Sequence, residues 1–161
     1  MLDRFFKVLD RSIEAVIVLI FAALIVVGGM QVFNRFVFNQ SLSWSEEFQK
    51  YAHIWIIYLS IAVGLRLDAH IGMEVLAQRL PAPVQKALKY LIGLLWIALA
   101  LALTVYTGVI MEVARHQTSP GLGLRMDFVY AGLFIGGLYL LIMALRKLAV
   151  LITADFKGKG A

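Results

Sequence analysis

The chain contains no cysteine. That removes disulfides, thiol chemistry and cysteine-ligated metal sites. Charge is scarce: 16% of the 161 residues are Asp, Glu, Lys or Arg, where a soluble domain carries about 25%. Of the three histidines, His53, His70 and His116, only His53 falls inside a long apolar run. A haem-carrying bundle needs facing intramembrane ligands, commonly histidines, so a haem subunit is not expected. No Ser-His-Asp set, zinc motif or phosphate loop is present. The sequence therefore predicts neither an enzyme nor a cofactor. Acids are missing from the middle of the apolar runs. Glu14 and Glu112 stand at run ends, and Glu46 and Glu47 fall in a first turn, whereas a proton-coupled pump places an acid near a span centre. Without paired broken helices or an inverted repeat, a complete transporter is not expected either. The formal charge of +5 includes no basic run of five or more, so it is not a nucleic-acid footprint.

What the chain has in quantity is apolar surface. It is 61% hydrophobic with a mean hydropathy of +0.85, the composition of an integral membrane protein. The expected fold is all-α, a single membrane domain over residues 1–161. Four spans of about 20 residues or more, enough for about 30 Å of hydrocarbon, are predicted at about 13–34, 44–66, 86–111 and 127–146. The first run is longer than a cleavable signal core of about 7–15 residues and lacks an A-x-A site, so it reads as a retained helix. Gly28-Gly29 in it allows a close helix contact, and Gly132 and Gly136 form a GxxxG pair in the last span. Thr104 and Thr107 are expected to bond to backbone one turn back. Pro120 and its flanking glycines mark an irregular loop.

Orientation follows from the basic residues. Arg4, Lys7, Arg11, Arg66, Arg79, Lys86, Lys89, Arg146, Lys147, Lys157 and Lys159 lie on one side of the spans. Arg35, Lys50, Arg115 and Arg125 lie on the other. The positive-inside rule places both termini in the cytoplasm. The start of the second span then faces the periplasmic side of a bacterial inner membrane.

The stretch Trp44–Glu74 organises the rest. At about 100° per residue, Glu46, Gln49, Lys50 and His53 share one helical stripe, which continues through Ile57, Ser60 and Gly64. Phe48, Trp55, Leu59 and Ala62 occupy the opposite face, which suits lipid. Glu47 points in a third direction. Glu46 and Lys50 stand at i,i+4 in the favourable order, Trp44 suits the aromatic belt, and Ser43 or Ser45 could cap the helix. Glu46 and Lys50 can pair and snorkel to water, or the stripe can seat against another protein. His53, roughly 13 Å past Trp44 at about 1.5 Å per residue, is too deep to snorkel. It should face a bundle interior, a cavity or a partner. A structural hydrogen bond from a neutral ring to another span or to a partner subunit is expected there rather than proton transfer. The candidate subunit-interface residues are therefore Trp44, Glu46, Glu47, Lys50, His53, Ser60 and Gly64. After the span, Ile71, Val75, Leu76 and Leu80 fall on one face and His70, Glu74 and Gln78 on the other, predicting a short amphipathic helix at about 70–80 lying on the cytoplasmic membrane surface. Pro81 and Pro83 should end it. Arg66, His70, Ile71, Val75, Arg79, Lys86 and Lys89 are its candidate lipid-interface residues.

With Trp44-x-Glu46-Glu47, then Trp55, Arg66, His70-Ile71 and Gln117-Thr-Ser-Pro120-Gly-Leu before the last span, the chain resembles the small membrane subunit of tripartite ATP-independent periplasmic (TRAP) transporters. The resemblance runs from the first span to Arg146. It implies a non-catalytic scaffold beside a large membrane subunit that carries the substrate and sodium sites. A periplasmic binding protein delivers an organic acid of the C4-dicarboxylate or sialic acid class to such a symporter. The large subunit would here be a separate chain. The alternatives are a membrane anchor subunit of a respiratory enzyme complex and a small transporter that dimerises.

Overall fold

A computed structural model describes residues 2–67 and 80–158, and among them the chain is all-α. Four helices follow one another: α1 (Leu2–Val37), α2 (Ser43–Arg66), α3 (Ala82–Ala114) and α4 (Met126–Gly158). The amphipathic helix expected at about 70–80 falls almost wholly outside the described residues, with His70, Ile71, Val75 and Arg79. Three helices are long and apolar enough to cross a membrane, over Phe6–Val37, Ala82–Ala114 and Met126–Asp155. At 24 residues, or about 36 Å, α2 has the length. Its charged and polar residues keep it below the apolar composition of the other three.

Helices α1, α3 and α4 outrun the expected spans. On α1, Phe6, Leu9 and Ile13 recur at helical spacing and pack against the core, so the helix continues past the apolar run toward the N-terminus. Asn39 ends α1 at φ 53°, a left-handed conformation that Asn tolerates better than most residues. Pro83 opens α3, with Pro81 at the cap, and the segment that these two were expected to end lies outside the described residues. In a first turn the missing N–H of Pro83 would have had no helical partner. Neither Ser43 nor Ser45 caps α2. The cap position is Leu42, without a side-chain bond, and the Ser45 hydroxyl donates to the Leu42 carbonyl at 2.7 Å.

Helix α4 is the hub. It packs on α3 and on α2, while α1 packs mainly on α2. The core is built from Ala62 and Leu65 of α2, Ala100 of α3, and Tyr139, Leu140, Met143 and Ala144 of α4. Two glycines set the α2–α4 distance. A Cβ at Gly132 would lie 2.6 Å from the Trp55 indole, and one at Gly136 would lie 2.7 Å from the Tyr58 carbonyl oxygen. Small residues thus let the backbones meet, as expected where lipid supplies no hydrophobic drive between helices. This reverses one sequence reading. Leu59 and Ala62 are 1% and 0% exposed and lie inside the bundle rather than toward lipid. Gly28 and Gly29 behave oppositely, since a Cβ at either would meet nothing within 4 Å. Thr104 donates to the Ala100 carbonyl at 2.8 Å, one turn back.

Candidate functional site

The charged side chains of α2 lie toward its two ends. At the N-terminal end they divide between two directions. Glu47 turns toward the α3–α4 connection, where its carboxylate accepts the Leu122 N–H at 3.0 Å. That connection is a tight hairpin. The Ser119 N–H donates to Leu124 O at 2.8 Å and the Met126 N–H to Gln117 O at 2.9 Å. The buried Ser119 hydroxyl accepts the Leu124 N–H, and Gly123 takes φ +65° at the bend, a value glycine adopts without strain. Glu47 therefore pins a loop 75 residues away. Replacing Glu47 with Ala should speed hydrogen exchange at the Leu122 amide severalfold, while Glu46→Ala should leave it unchanged. Equal exchange in both variants would show that the carboxylate does not hold the hairpin.

The second direction is an open cleft of about 670 Å³ between α1 and α2, lined by Gln31, Glu46, Gln49, Lys50, His53 and Ile54. Gln49 donates to the Gln31 side-chain carbonyl at 2.5 Å and ties the two helices together across it. Gln31 is a residue that the sequence reading passed over. Its signal was a lone amide within an uncharged run. Glu46, Lys50 and His53 are exposed, Ser60 and Gly64 half-buried, and Ile57 is 53% exposed. Among the described residues no ion pair joins Glu46 to Lys50, contrary to the i,i+4 expectation. His53 Nδ1 lies 2.7 Å from the Gln49 carbonyl. Nδ1–H therefore donates within its own helix, and in the neutral ring Nε2 is left as an acceptor. Trp44 is half-buried at the start of the helix.

The other end of α2 corrects a second reading. Arg66, expected among lipid headgroups, turns inward. Its guanidinium lies 2.9 Å from Asp10 and pairs also with Glu14. The Tyr139 hydroxyl donates to Asp10 at 2.7 Å, so one network joins α1, α2 and α4. The reason is local. Asp10 and Glu14 stand at i,i+4 on α1, where like charges repel, and a forked cation answers both. That spacing signals that α1 needs a cation there, though not which one. Nearby, Lys86 pairs with Asp155 at 2.6 Å, and the Tyr90 hydroxyl donates to the same carboxylate, closing α3 on α4. Lys89 is exposed. No group of three or more His, Cys, Asp or Glu able to hold a metal occurs among the described residues.

A helical membrane chain with a polar second helix and a loop pinned to that helix matches the family model "Tripartite ATP-independent periplasmic transporters, DctQ component" over residues 24–154. The chain belongs to this family. It is 21% identical over 151 residues, 94% of each chain, to a Haemophilus influenzae protein classed as a TRAP transporter small permease. It is 22% identical over 149 residues to the sialic acid TRAP transporter small permease protein SiaQ of Vibrio cholerae, covering 88% of this chain and 82% of that one. A segment of 49 residues is 39% identical to the C4-dicarboxylate TRAP transporter small permease protein DctQ of Pseudomonas aeruginosa, covering 30% and 23% of the two chains. A small TRAP permease is a transporter component, not an enzyme, and a multi-pass protein of the bacterial inner membrane.

Proposed function

We propose that this small permease is the static scaffold of a sodium-driven, binding-protein-dependent TRAP transporter, and that it braces a separate large membrane subunit during uptake of an organic acid. The observation that carries the reading is the family match over 24–154. The packing agrees with a static role: α4 meets α2 through glycines that leave no room for a Cβ, so the bundle resists internal sliding. The substrate class comes from relatives named for sialic acid and C4-dicarboxylates, both carboxylates. In this reading all four helices cross the membrane and form one domain. Both termini and the Arg66 network lie at the cytoplasmic face in this reading, which the distribution of Lys and Arg supports. The Glu47-pinned hairpin lies at the periplasmic face.

The test is reconstitution in liposomes. The small permease, its large membrane subunit and the cognate binding protein should together accumulate a sialic acid or a C4-dicarboxylate under an inward sodium gradient. Leaving out the small permease should abolish accumulation. Uptake by the small permease alone, or full uptake without it, would overturn the scaffold reading. In whole cells, a cysteine replacing the exposed Thr118 should react with a membrane-impermeant maleimide, whereas one replacing Arg4 should react only after permeabilisation. The reverse pattern would invert the orientation.

A further inference from the structure

The cations at the Arg66 end of the bundle divide into two groups. Arg66 turns inward to Asp10 and Glu14, and Lys86 pairs with Asp155 at 2.6 Å. Arg4, Lys7 and Arg11 of α1 do neither. All three are exposed, and among the described residues no carboxylate pairs with any of them. At about 100° per residue they fall within one arc of about 60°. Phe6, Leu9 and Ile13, which pack against the core, lie on roughly the opposite side. The neighbouring acids Asp10 and Glu14 are turned to Arg66. Like charges at i,i+3 and i,i+4 on a helix repel. The stripe holds one pair of each spacing, Arg4 with Lys7 and Lys7 with Arg11, so an anion laid along it relieves both.

Depth identifies the anion. Arg11 stands four residues, or about 6 Å, before Ala15, where the uncharged run opens. Headgroups fill about 5–8 Å beyond the hydrocarbon on each side, so Arg11 lies among them. Lys7, about 12 Å out, reaches back along its flexible stem. Arg4, roughly 16 Å out, is about one Debye length, about 8 Å, from the charged layer. A stripe that starts inside the headgroup layer meets phosphate before it meets bulk water. A guanidinium takes two phosphate oxygens in its fork, and an ammonium adds a point charge beside it.

We propose that the Arg4–Lys7–Arg11 stripe of α1 is a binding surface for the headgroup phosphates of anionic phospholipids in the cytoplasmic leaflet. The choice of leaflet rests on the orientation proposed above. Lipid selectivity in a symmetric vesicle does not depend on it, so the two can fail separately: the maleimide pattern decides the orientation and the vesicle decides the lipid.

The lack of cysteine makes the test direct. Ser12→Cys, exposed and one position past Arg11, carries a fluorescent donor on the full chain in phosphatidylcholine vesicles. Energy transfer to a trace of acyl-labelled phosphatidylglycerol should show that lipid enriched about fivefold over matched phosphatidylcholine. Lys7→Gln with Arg11→Gln should bring the enrichment below twofold. Arg115→Gln with Arg125→Gln removes the same charge beyond the other end of the spans and should leave it unchanged. Sodium chloride at about 1 M, where the Debye length is about 3 Å, should abolish it. Inorganic phosphate should act no more strongly than chloride of equal ionic strength. The lipid and salt comparisons need no substitution in the stripe, so they decide the question even if the double variant folds poorly. Equal transfer to both lipids in the chain with an intact stripe would mean a merely solvated face and overturn the proposal. Equal loss in both double variants would overturn it in favour of net charge, and displacement by inorganic phosphate in favour of a free anion. Loss of the enrichment once the large subunit is present would assign the stripe to a protein contact and overturn it too.

Discussion

Gly136→Ala should loosen the bundle more than any other single methyl added to the chain. The new Cβ would stand 2.7 Å from the Tyr58 carbonyl oxygen and 2.8 Å from its carbon. Those are backbone atoms in the middle of α2, so no side chain can rotate away. The helices must separate, and overpacking of that kind costs about 1–3 kcal/mol. The separation also pulls Trp55 from its seat over Gly132, one turn away on α4, so the loss is shared along the interface. Gly28→Ala is the internal control. It adds the same methyl to a membrane helix, but nothing in the chain lies within 4 Å of it. Within the isolated chain it should be neutral, or stabilising by the roughly 0.5–1 kcal/mol that separates Ala from Gly in a helix. Thermal unfolding of the purified permease in detergent reads both. Gly136→Ala unfolding at the same temperature as the parent would mean that the two helices do not approach this closely.

The second large effect is expected at Arg66. Its side chain is 20% exposed and that of Asp10 16%, so the pair is largely shielded from water. Arg66→Leu would remove the guanidinium that pairs with both Asp10 and Glu14. Breaking a fully buried pair costs roughly 3–5 kcal/mol. The half-exposed Glu14, 46% accessible, reduces this to about 2 kcal/mol. The sharper measurement is the rescue. Asp10→Asn and Glu14→Gln added to Arg66→Leu should restore most of the stability, because no charge then remains unpaired. The amide that replaces the Asp10 carboxylate can still accept the Tyr139 hydroxyl. A triple variant as unstable as the single one would show that Arg66 acts through packing of its alkyl stem rather than through its charge.

These two sites also mark where sequence reading stops. The apolar runs determined the four helices, because a chain in hydrocarbon has to satisfy every backbone polar group within the segment. Family membership was legible too, in Trp44-x-Glu46-Glu47, Trp55, Arg66 and His70-Ile71, and the match over 24–154 bears it out. The stripe of Glu46, Lys50 and His53 followed from helical geometry alone. Tertiary structure decided which face meets which neighbour. In water, the contrast between apolar and polar faces tells inside from outside. In lipid both faces are apolar, so Leu59 and Ala62 looked like lipid-facing residues and are instead, with Ser45, the most buried side chains of α2. Gly132 and Gly136 carried the better signal, since only backbone proximity depends on a missing Cβ. Arg66 found its acids, Glu14 and Asp10, more than 50 residues earlier in the chain. No periodicity within one helix can reveal such a choice, because it depends on which helix ends the packing brings together.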